Sequence, residues 1–191
     1  SRTQDLGPRS PREPRPDTTT GASVTQVGTS DAGTTIRLTF DLRPDQANIY
    51  AMAGAGEEHP MSFPPAYQVA TPFGVNIGGV DPVFFAFSAE AEFDSWLTVG
   101  MTDGSDSGAI SSVGFDLDLW TEAAGLEVDN GAIFWMNPDN GPRQGEAVVL
   151  AQLTMARVEG TATAELQGRS AGGAGDWDVQ VTWDLGGRGD Q

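Results

Sequence analysis

The chain has 191 residues with one His, no Cys and no Lys, and its formal net charge is −17. These absences exclude thiolate nucleophiles, Schiff-base lysines and multi-His metal centres. A body this acidic repels nucleic acid and anionic membrane surfaces.

The charge is uneven along the chain. Arg2, Arg9, Arg12 and Arg15 against Asp5 and Glu13 give the first 16 residues a net +2, so the remainder carries −19 and the whole chain −17. Pro8, Pro11, Pro14 and Pro16 alternate with these arginines, and Thr18–Thr20 follow. Prolines at this density oppose helix and regular ladder pairing. Residues 1–23 therefore read as an extended arm, and 24–191 as one domain. The length suffices for a core without metal or disulfide. No apolar run is long enough for a membrane helix, no apolar signal core opens the chain, and no Asn-x-Ser/Thr sequon occurs.

Past the arm, Ile36, Leu38, Phe40 and Leu42 alternate with Arg37, Thr39 and Asp41. Period two is the mark of a half-buried strand. A shorter strand is expected at Asn48–Ala53. Pro60, Pro64, Pro65, Pro72 and Pro82 surround Phe63, Tyr67 and Phe73. That stretch is too rich in proline for a central strand and too apolar for a solvent loop, so it reads as a long connection that packs its rings. Presentation of those rings to a partner is the other reading. Strands follow at Val83–Phe87 and Ser95–Met101, with a helical turn near Ala89–Phe93.

Val113, Phe115, Leu117 and Leu119 again alternate with Gly114, Asp116 and Asp118. A second helical turn is expected near Thr121–Gly125. Asn130-Gly131 precedes an apolar run, as a hairpin turn would. Further strands are expected at Ala132–Met136, Ala147–Met155 and Thr161–Gln167. The last expected strand alternates Trp177, Val179, Val181 and Trp183 with Asp178, Gln180 and Thr182. Turn clusters at 43–45, 103–106, 129–131, 137–141 and 172–175 separate these elements. The fold class is all-β: an antiparallel, jelly-roll-like β-sandwich of about 8–10 strands.

Four chemistries compete for the polar residues. Asp103-Gly104-Ser105-Asp106 offers oxygen ligands to Ca²⁺, with Asp129-Asn130 and Asp139 second, but the EF-hand spacing is absent. Asp116 and Asp118 share a strand face about 7 Å apart, a separation open to a glycosidase dyad and equally to a solvated face. Among the five tryptophans, Trp135, Trp177 and Trp183 read as core. Trp120 breaks its strand's alternation and is the candidate exposed platform for a sugar. Gly74, Gly78 and Gly79 lack the spacing of a phosphate loop and read as backbone bends. No catalytic, cofactor-binding or metal-ligating residue is assigned.

Phe93-Asp94-Ser95-Trp96-Leu97-Thr98-Val99-Gly100 resembles the aromatic-Asp-Ser-Trp-Val-Thr-Ile-Gly signature of a β-rich domain family of diatoms, other algae and marine bacteria. The runs Ile36–Tyr50, Asn130–Met136 and Val149–Thr154 followed by Gly160 are similar too. The resemblance implies a structural or surface protein and no enzyme, with pyrenoid-shell-like proteins among the relatives. Those relatives carry tandem copies, whereas one copy is present here. The expectation is a non-enzymatic domain that self-assembles with copies of itself into a filament, tube, sheet or shell. It would lie outside the cell or at its surface, or else in the plastid stroma around the pyrenoid. The alternative is a secreted module that binds polysaccharide or Ca²⁺.

Overall fold

The computed structural model describes residues 19–173 and 175–187. They form an antiparallel β-sandwich, as the alternating segments lead one to expect. The arm expected over 1–23 lies outside the described residues as far as residue 18. In the first sheet, β1 (Ala22–Ser30), β2 (Gly33–Phe40), β9 (Val148–Met155) and β5 (Trp96–Leu97) lie in that order. The second sheet contains β6 (Ile110–Val113), β8 (Asn130–Trp135), β3 (Ala51–Ala55), β10 (Gly160–Arg169) and β11 (Asp176–Gly186). Two short strands, β4 (Met61–Phe63) and β7 (Leu126–Val128), complete it.

β3 and β4 share one lane of the second sheet. Both pair with the same edge of β10, Glu165 opposite Ala53 and Thr163 opposite Ser62, so the loop 56–60 is an insertion in a single strand direction. The neighbouring lane is broken in the same way: β7 pairs with β4 and β8 with β3, with Asp129 between them. Asn130-Gly131 is therefore no hairpin turn, because β7 and β8 continue one another. Neither residue adopts the positive φ that a tight hairpin turn requires. Glycine is needed at 131 for space: a Cβ there would lie 2.7 Å from the Val113 carbonyl oxygen and 2.8 Å from the Phe115 ring.

The inner faces meet in one core. Ile36, Leu38 and Phe40 of β2 and Leu153 of β9 face Met52, Ile133, Ala162, Ala164, Leu166, Val181 and Trp183 from the second sheet. Ala162 lies opposite Trp183 in the ladder, so a small residue makes room beside a large one. The outer face of β2 and β9 is also covered. The connection through residues 67–96 folds over it and forms a second cluster of Val80, Ala91 and Trp96 with Phe73, Val75, Phe84 and Phe85. Phe63 is buried in the main core and Phe73 packs edge-on against Phe84, so these rings of the proline-rich stretch pack inward.

Four other expected elements differ. The strand expected at Ser95–Met101 is reduced to Trp96–Leu97. Val83–Phe87 is a 3-10 helix over Pro82–Ala86, because Asp81 accepts from the Val83 N–H and Pro82 pre-sets the first turn. The strand expected through Leu119 stops at Val113, where Gly114 turns at φ +89°. Asp116 then caps a 3-10 turn at Leu117–Leu119, leaving Val113 and Leu119 exposed. Thr121–Gly125 is not helical, since the Thr121 hydroxyl accepts from Ala123 and Ala124 and closes a side-chain turn. The turn at Ala89–Phe93 is helical as expected, also of the 3-10 kind.

Candidate functional site

Around the signature run, polar groups are buried and fully committed. Asp94 is wholly buried, and its carboxylate accepts from the N–H groups of Val69 (2.8 Å), Val75 (2.7 Å) and Ser95 (3.0 Å). Burial pushes its pKa up to about 7, while the three backbone donors pull it back. Gln152 of β9 donates to the carbonyls of Asp94 and Glu92 and accepts from Arg37, whose guanidinium lies 5.4 Å above the Trp96 ring. Ser95 Oγ accepts from the Thr154 N–H, and the Thr35 and Thr154 hydroxyls meet at 2.7 Å. Leu97 and Val99 belong to the core. Gly100 turns at φ +86° where a Cβ would sit 2.2 Å from Pro142. Each residue of the run from Asp94 to Gly100, Thr98 included through its bond to the Met101 carbonyl, is thus spent on holding the long connection against the first sheet. The run from Asp94 to Gly100 is an internal latch, while Phe93 before it is partly exposed and lines a groove of about 280 Å³ with Tyr67 and Glu90.

The residues nominated for chemistry are dispersed. Trp120 is buried, contrary to the platform expected from its broken alternation. The strand on which that expectation stood ends at Val113, and the indole packs on Phe63 and donates to the Pro64 carbonyl. Asp116 and Asp118 do not share a strand face; both lie at an exposed 3-10 turn, where the Asp116 carboxylate accepts from the Asp118 N–H. Asp103 accepts from the Ser105 N–H in a local turn. Asp139 binds Arg169 beyond one end of β3, whereas Asp129 accepts from Gly56 beyond the other, so these two do not form one site. Among the described residues no group of three or more His, Asp or Glu side chains is arranged to hold a metal. A groove of about 420 Å³ is lined by Val75, Ile77, Phe84, Met101 and Ile110 together with Asp81 and Asp106, and Asp81 is the cap of the 3-10 turn.

The features open to a partner are strand edges. Most are short or broken among the described residues: β5 has two residues, β6 four, and β1 a register shift at Val27. β11 is different: it has eleven residues, and the nine from Asp176 to Asp184 keep a regular register against β10. Tyr50 N–H donates to the Gln167 carbonyl, so Thr163, Glu165 and Gln167 turn their backbone groups toward β3 and β4. By alternation, Val179, Val181 and Trp183 spend theirs on β10, and Asp178, Gln180, Thr182 and Asp184 point theirs outward. Thr19 meets that outer edge: its N–H donates to the Thr182 carbonyl at 3.2 Å, and its hydroxyl accepts from the Thr182 N–H at 2.9 Å.

The sequence does not mark this edge, because which backbone groups point outward depends on the register of β10 with both neighbours. The end of β11 is tied by Arg169, which bonds Asp176 at 2.9 Å and Asp139 at 3.2 Å while Tyr50 donates to Asp176. No helix among the described residues is long and apolar enough to cross a membrane. Compared with family models, with curated proteins and with solved structures, the chain finds no match.

Proposed function

We propose that this chain is a non-enzymatic structural protein that self-assembles into a filament, tube or sheet through its sandwich and its N-terminal arm. The observation that carries this reading is the outer edge of β11, a long regular strand whose outward N–H and C=O groups form a template for another chain segment. A contact that joins an arm to an edge is heterologous, and its repetition gives an open assembly. The family resemblance supports the same reading and favours an assembly outside the cell or at the pyrenoid periphery. The sugar-binding alternative loses its platform with the burial of Trp120.

Negative-stain imaging of the full chain across a concentration series tests the proposal. Growth of regular particles with concentration, lost when residues 1–18 are deleted, is the expected result. A particle that stays monomeric throughout would overturn it.

A further inference from the structure

We infer that the groove beside β6 binds an extended peptide segment of a partner protein, which adds a strand to β6 and brings a basic side chain to Asp81 and Asp106. This site is separate from the β11 edge, and it stands whether or not the chain self-assembles.

The groove lies where the sandwich is open on one side. β6 is the last strand of the second sheet. On the first sheet Ile77 pairs in parallel with Leu97 of β5, so the backbone around it forms that sheet's edge. Residues of both edges line the groove, Ile77 on one and Ile110, Ser111 and Ser112 on the other. Its apolar lining joins the two cores: Met101 and Ile110 belong to the main one with Ile77 packed against it, whereas Val75 and Phe84 pack in the second. A volume of about 420 Å³ is within the range of ligand sites.

Backbone groups select a strand as the occupant. The Met136 N–H donates to the Ala109 carbonyl, and the Trp135 N–H to the Tyr50 carbonyl on the other side of β8. Phe134 and Ala132 therefore turn theirs toward β6, where they meet Ser111 and Val113. By alternation Ile110 and Ser112 point their N–H and C=O groups away from β8, and no backbone partner meets them there among the described residues. A purely apolar ligand would leave these groups unpaired, whereas a peptide satisfies them. Four residues, about 13 Å, are too few to template a sheet and enough for a short segment. Charge selects its sequence. Two carboxylates and no cation line the groove. Both stand at the end before Ile110: Gly79 bridges Asp103, the Gly104 N–H donates to the Gly78 carbonyl, and the Asp106 carbonyl accepts from the Ala109 N–H. An antiparallel partner reaches that end with its C-terminal side, so its basic residue follows the paired ones.

NMR titration of the full chain with a capped hexapeptide of alternating threonine and valine, ended by arginine, tests the site. Amide shifts at Ile110 and Ser112 should exceed those at Ser111 and Val113 and saturate by about 1 mM peptide. A terminal aspartate in place of the arginine should weaken binding about threefold or more, and Asp106→Arg should reverse that preference. A proline in the middle of the peptide should weaken binding about fivefold or more through the lost N–H. Ser112→Pro, which removes an outward N–H that β8 does not use, should do the same; should it fail to fold, Asp106→Arg at its exposed turn carries the test. Absence of shifts at Ile110 and Ser112 would overturn the inference. So would equal binding of the proline peptide, since the groove would then take apolar side chains without a strand. Shifts confined to Gln180 and Thr182 would move the peptide to the β11 edge and discard this site. Shifts at Ile110 and Ser112 that appear on concentrating the chain alone would give the groove to a second copy and likewise overturn it.

Discussion

Asp94 sets the chemistry of the molecule at the scale of single residues. A carboxyl in water releases its proton near pH 4, whereas burial holds the folded Asp94 proton until about pH 7. Between those values the unfolded chain binds fewer protons than the folded one, so stability falls as pH rises. The slope is at most about 1.4 kcal/mol per pH unit, and it vanishes above pH 7. Urea melts from pH 4 to 8 should show this decline, and Asp94→Asn should flatten it. Asp94→Ala leaves the Val69, Val75 and Ser95 N–H groups without their acceptor and should cost about 3 kcal/mol or more by the same melts. Gly100 is equally constrained. Gly100→Ala at φ +86°, against the Pro142 ring, should lower stability by about 2 kcal/mol or more in thermal melts.

Tryptophans tie the elements together. Trp183 of β11 donates to the Thr39 carbonyl of β2, and so joins the two sheets by a hydrogen bond as well as by packing. Trp177, stacked on Phe40, donates to Asn48, and Trp135 donates to Val99. Trp183→Phe keeps most of the bulk and loses the bond, and should cost about 1–2 kcal/mol in denaturant melts. Trp120→Ala should cost about 3–5 kcal/mol as a core cavity. Strands with one face on the core, β2, β10 and β11, were legible in the sequence because their side chains alternate. β9 was legible as an apolar run. The segments 83–87 and 113–119 were not, because a single capping aspartate at 81 or 116 outweighs an apolar run in the first and a pattern of period two in the second. The role of the run 94–100 as a latch depends on Gln152 and Thr154, more than fifty residues away, and so was not legible in the run itself.

At the scale of the whole molecule, a sandwich needs only its inner faces buried, and this one has a second covered face where residues 67–96 lie over β2 and β9. The polar outer face of β10 and β11 is left for solvent, with Thr161, Thr163 and Glu165 opposite Asp184, Thr182 and Gln180. The sequence marks that face as polar but leaves the neighbours of its strands unstated, so the free edge could be found only in the assembled sheet.

The interrupted lane formed by β3 and β4 has a practical consequence. Residues 56–59 are exposed, and the turn is closed on itself by the His59 N–H to the Gly56 carbonyl, with the Ala55 N–H on the His59 carbonyl. The ladders on either side run without it. A reporter peptide grafted between Glu57 and Glu58 should leave the melting temperature within a few degrees of the parent, because lengthening a surface loop adds little closure entropy. The gap between these half-strands is thus a natural port for a fluorophore or an affinity tag, on a chain with no cysteine to compete for labelling.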